Sequence, residues 1–169
     1  MGLLGWTMGN VGVQIEKHGE TILNMIKGWK WLSEHETLVG IPEDKSGRQD
    51  GAGLTNAQLM YIHENGSPAN KIPARPVLQS ALSGAEASGR IQDYLSEGCK
   101  HALRGDVNGA QAEWEKAGMV GVNAAMEKFT DGTLAPNAPS TIAQKGSDTP
   151  LIDTGALRQS ITYVVRRKK

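Results

Sequence analysis

Hydrophobic and polar positions along the chain fall into short periodic runs separated by glycine- and proline-rich breaks. The clearest run lies between residues 20 and 34, where Ile22, Met25, Ile26, Trp29 and Leu32 recur three or four apart. That spacing places them on one side of a helix. It predicts an amphipathic helix that buries Trp29 and turns Trp31 away from the core. Before it, Val11, Val13 and Ile15 alternate with Gly12 and Gln14 and predict a short strand. After it, TLVGI (37–41) predicts a second strand, ended by Pro42.

A second helical run carries Leu54, Ala57, Met60, Tyr61 and Glu64. Asn65-Gly66 stops it, because glycine readily takes the left-handed conformation of a helix C-cap. Ser67-Pro68 reinforces the stop, since a residue before proline is pushed out of the helical region. Next comes Ile72-Pro73-Ala74-Arg75-Pro76, where two prolines fix φ and hold the segment extended. Val77, Leu78, Ala81 and Leu82 then resume helical spacing. A rigid bracket between two helices presents Arg75, whose planar fork suits a carboxylate or backbone carbonyls.

Small residues over 83–89 mark a break or a weak continuation of that helix. Ile91, Leu95, Cys99 and Ala102 mark a helix ending near Gly105-Asp106. Asn108 can cap the next helix, with Trp114, Ala117, Gly121, Ala124 and Ala125 on one side, so the short connection predicts an antiparallel hairpin. Residues 43–53 and 130–150 lack periodicity and read as two extended loops, mobile in an isolated subunit and open to cleavage at Lys45, Arg48 or Lys145. Near the end, Ser160, Thr162 and Val164 alternate with Ile161, Tyr163 and Val165, the pattern of a half-buried strand. Leu151, Ile152 and Leu157 are expected to pack beneath it, with Gly155 supplying a bend. Three to four short strands among four or five helices, in no repeating βαβ order, predict an α+β fold. The expected form is a small mixed or antiparallel sheet packed on several helices, as a single domain over 11–169 behind a flexible arm over 1–10.

Composition adjusts this picture in three places. Lys and Arg (18) balance Asp and Glu (18), which removes the basic excess of a dedicated nucleic-acid binder. Only 5% of residues are aromatic, so the core is thin and largely aliphatic, and stability is expected to be completed by assembly. Cys99 is the single cysteine, which excludes an intrachain disulfide. No stretch reaches the length and apolarity of a membrane span, and MGLLGW lacks the basic flank of a signal peptide.

Several short motifs resemble catalytic signatures without their context. LIDTGA (151–156) matches the local sequence of an aspartic protease built around a paired Asp. Too little chain follows Gly155 for the strands and flap such a site needs, so Asp153 is expected to cap the turn instead. His63-Glu64 opens a zinc-protease HExxH, but Ser67 stands where the second histidine belongs. Gly51-Ala52-Gly53 lacks the third glycine of a dinucleotide loop. The basic end, Arg166 to Lys169, reads as a solvated tail. No catalytic residue, cofactor or metal site is expected.

Two separated segments carry a family resemblance. NAQLMYIHENGSP followed by IPARPVLQSAL resembles the segment, roughly A-x-x-x-E-x-G-T/S … IPARPFL, of the neck and tail-completion (virion morphogenesis) proteins of tailed bacteriophages. PSTIAQKGSDTPLIDTGALRQSITYVV (139–165) resembles the closing segment of the same proteins, in the same order. Together they cover about a third of the chain. Val77 departs from the pattern, which has Phe there. The resemblance implies a structural virion protein forming a ring, expected to be hexameric, that completes the tail. Such a ring joins the tail to the head connector and leaves a channel for DNA. Implied partners are further copies of itself, the connector or adaptor protein, and a tail terminator or tail tube protein, with no membrane. The implied location is the virion, after assembly in the host cytoplasm. Arg75, Pro73, Pro76, Arg48, Lys145 and Arg158 are the interface candidates. The alternatives are a small hydrolase at Asp153-Thr154-Gly155 and a nucleic-acid-binding module.

Overall fold

The computed structural model describes residues 9–48 and 53–168. Among them the chain forms seven α-helices and two strands. The order is α1 (Gly9–Glu34), β1 (His35–Gly40), α2 (Asn56–Asn65), α3 (Val77–Ser83), α4 (Ala85–Leu103), α5 (Val107–Lys128), α6 (Pro139–Lys145), α7 (Ala156–Gln159) and β2 (Thr162–Arg167). The fold is α+β.

The spine is α5, which packs on α4 as the second arm of a hairpin and also meets the sheet and α3. Ala110, Ala117, Val120 and Ala125 of α5 are buried, and their small size lets neighbouring backbones come close. The sheet pairs β1 and β2 antiparallel, from His35↔Arg167 to Gly40↔Thr162. Tyr163 lies across Gly118, where a Cβ would stand 2.6 Å from the ring. Gly28 likewise brings α1 onto α4, since a Cβ there would collide with the Ala102 carbonyl oxygen. The main core gathers Met60, Val77, Ala81, Ala125, Phe129, Leu157 and Ile161.

Several expectations are corrected. Residues 11–15 are helical, part of α1, so the sheet has two strands rather than three or four. Val11 and Ile15 are also four apart, and a short run that fits both periods takes its conformation from the longer helix it joins. The stripe of α1 faces outward: Trp29 is 66% exposed, Ile22 57% and Ile26 58%. The inward arc carries Gly28, which is buried, and Trp31, which stacks on His35 and tilts against Trp114. The cap of α5 is Asp106, accepting from Gly109 N at 2.8 Å, and not Asn108.

Both expected loops contain structure. Residues 43–45 form a 3-10 turn, and the buried Ser46 accepts from Asn56 N and Ala57 N. Residues 139–145 form α6. Thr154 Oγ1, not Asp153, accepts from Ala156 N at the turn before α7, where Gly155 takes a φ of 82°. Leu151 and Ile152 pack against the core beside Leu157, as expected. Residues 166–168 of the basic end are exposed, as expected, and are also tied back to the chain. Arg166 and Arg167 belong to β2 and pair with Glu36 and Glu34, and Lys168 donates to the Ser33 carbonyl. The expected arm over 1–10 lies outside the described residues, apart from Gly9 and Asn10 at the start of α1, as do residues 49–52 of the first loop.

Candidate functional site

The segment between α2 and α3 is stitched together from both ends. A capping box starts α2: Thr55 Oγ1 accepts from Gln58 N, and Gln58 Oε1 accepts from Thr55 N. Gly66 ends it with a φ of 74°, and a Cβ there would lie 2.8 Å from Ala74 N. Only glycine meets both conditions. Ser67 and Ile72 then exchange two backbone hydrogen bonds, closing a tight loop, and Arg75 N donates to His63 O. The extended bracket thus lies against the end of α2.

Glu64 connects the two helices through its carboxylate. It accepts from Val77 N (2.9 Å), Leu78 N (3.1 Å) and Gln79 N (2.7 Å). These are first-turn amides of α3, which no intrahelical carbonyl can satisfy. The N-cap residue is Pro76, whose side chain has no acceptor, so a carboxylate from α2 does that work. It also favours the positive end of the helix dipole.

Arg75 turns into its own chain and is only 6% exposed. Its Nε donates to Ala135 O at 2.7 Å and its Nη2 to Pro136 O at 2.8 Å. The expectation of a carbonyl partner is met, and that partner is the 130–150 segment. Burial lowers the guanidinium pKa from its ordinary value. The same segment is braced by Asn137 Nδ2, which donates to Asp148 O and Thr149 O, and by Lys145 Nζ, which donates to Thr149 O at 3.1 Å. His63 lies beneath this junction. Burial, then the charges of Arg75 and Lys145, lower its pKa from 6.5 to about 4. Its Nδ1 is buried with no hydrogen-bond partner among the described residues.

The structure therefore brings Pro73, Arg75, Pro76 and Lys145 to one junction. Arg158 belongs elsewhere, donating from Nε to Met126 O and tying α7 to α5. Arg48 follows the 3-10 turn and is half-buried. Sequence reasoning missed Glu64 as a cap and read it as part of the apolar side of α2. The available signal was a helix starting at a proline with no acceptor of its own. Among the described residues no group of three or more His, Cys, Asp or Glu could hold a metal ion, and no helix is long and apolar enough to cross a membrane. Comparison of the chain with protein-family models, curated proteins and solved structures finds no match.

Proposed function

We propose that the protein is a structural, non-enzymatic component of a tailed-phage neck or tail top. In this reading it forms a ring that completes the tail, joins it to the head connector and leaves a channel for DNA. The observation that carries the reading is that the two segments of the resemblance form one structural unit. Met60, Val77 and Ala81 from the first share a core with Leu157 and Ile161 from the second. Arg75 of the first also pins the backbone just before the second begins. Segments distant in sequence and joined this way make sense as one inherited scaffold. The competing readings have less to stand on: Asp153 is exposed, and Arg166 and Arg167 already pair with carboxylates.

The test is genetic and visual. A phage lacking this chain should accumulate filled heads and separate tails, and a plasmid copy should restore joined particles. Electron micrographs of the protein on purified connectors or tails should show an annulus. Unchanged infectious yield without the chain would overturn the reading.

A further inference from the structure

Among the described residues, two apolar surfaces of unlike shape stand open. The first is the stripe of α1, where Ile22, Met25, Ile26 and Trp29 stand at i, i+3, i+4 and i+7, with Leu23 beside them. It points away from the side of the helix on which Gly28 meets α4. The second is a groove along α2, about 470 Å³ between Leu54, Ala57, Gln58, Tyr61 and Ile62. It runs into a further hollow of about 240 Å³ reaching Ile41 and Leu78. Tyr61 is 71% exposed and Leu54 43%.

We infer that the α1 stripe of one copy docks in the α2 groove of the next, giving a head-to-tail contact between identical chains. The inference deepens the ring reading above by naming the surfaces, and it rests on that reading for closure of the array. Three observations favour a second copy as the occupant. Ile22, Leu23, Met25, Ile26 and Trp29 are 57%, 58%, 44%, 58% and 66% exposed, a contiguous apolar surface where scattered single residues would be ordinary. Ala57, Gln58 and Tyr61 stand within about one turn of α2, with Leu54 just before the helix, and small Ala57 leaves room for a bulky knob. Charge is complementary as well. Lys27 and Lys30 are exposed on α1, while Glu43 and Asp44 are exposed two and three residues after Ile41, which lines the second hollow, with Lys45 as the one basic residue of that turn. Lys27 makes no ion pair with any described residue, and Lys30 has only a 3.7 Å contact with Glu34. A contact between two different surfaces propagates around a ring, whereas α1 pairing with itself would stop at two copies and leave the groove open.

Sedimentation of wild type, Trp29→Glu, Tyr61→Glu and an equimolar mixture of the two variants tests the pairing. Both positions are exposed, and circular dichroism checks that each variant is folded. Wild type should associate as concentration rises, and each variant alone should stay monomeric. The mixture should form dimers, because one intact stripe and one intact groove remain. A monomeric mixture would overturn the pairing, as would wild type that stays monomeric at its highest soluble concentration. Association of Tyr61→Glu at wild-type strength would overturn it in favour of α1 self-pairing. None of these results touches the neck reading, which the head-and-tail phenotype decides separately.

Discussion

Replacing Glu64 by alanine removes three hydrogen bonds from a helix that has no side-chain cap of its own. Bonds from amides to a charged acceptor contribute about 1.5–3 kcal/mol each in the most favourable cases. Here three share one half-buried carboxylate, and water can reach the freed amide of the exposed Gln79. Val77 is different, being fully buried, so its amide loses its partner where water cannot replace it. The expected loss is therefore about 2–3 kcal/mol, or a fall in Tm of about 5–10 °C for a domain of this size. Glu64→Gln keeps one acceptor oxygen but loses the charge and its favourable interaction with the helix dipole, so it should cost about 1–1.5 kcal/mol. Urea unfolding followed by circular dichroism measures both. An alanine variant within about 0.5 kcal/mol of wild type would refute the capping role, and so would glutamine as damaging as alanine.

Arg75→Ala should cost about 2–4 kcal/mol, because two carbonyls lose a charged donor in a buried site, and it should speed tryptic cleavage at Lys145 in the folded protein; unchanged cleavage would count against the pin. His63 takes up a proton near 6.5 when unfolded but near 4 when folded. Its contribution is complete above pH 6.5 and is lost as pH falls toward 4, with a full linkage of about 3 kcal/mol that partial solvent access to the half-buried side chain reduces to roughly 1–2 kcal/mol. Stability of wild type minus His63→Gln, measured across that range, should show this slope; a flat difference would remove the argument. Gly118→Ala should destabilise by about 1–3 kcal/mol, since the new methyl meets the Tyr163 ring, and Tyr163→Ala in the same background should recover part of the loss.

Helix boundaries were legible where a local signal decides them. Gly66 and the 105–106 turn end their helices as glycine and short connections require. The alternation marked the place of the final strand but not its ends, since Ile161 precedes it and Arg166 and Arg167 extend it. The 11–15 segment was not legible, because five residues fit both periods and the length of α1 settles the matter. Nor was the facing of α1. Periodicity states that one side of a helix is apolar but not what covers it, and Gly28 rather than the stripe decides which side approaches α4. A glycine contributes nothing to an apolar pattern, so a close helix contact built on one leaves no mark in the pattern.

The junction at Arg75 separates in the same way. The proline spacing foretold a rigid bracket, and the bracket is there, tied to α2 through the His63 carbonyl. What sequence could not supply was the direction in which Arg75 points, since its acceptors are the backbone carbonyls of Ala135 and Pro136. Any residue type offers a carbonyl, so no side chain in the 130–150 segment marks the partner. The consequence is an order of dependence. Glu64 starts α3, α3 places Val77 and Ala81 in the core, and the bracket between α2 and α3 aims Arg75 at the 130–150 segment. That segment leads directly into α7, whose Leu157 returns to the same core. Loosening any one link should therefore weaken the others, and Glu64→Ala combined with Arg75→Ala should cost less than the sum of the two single changes.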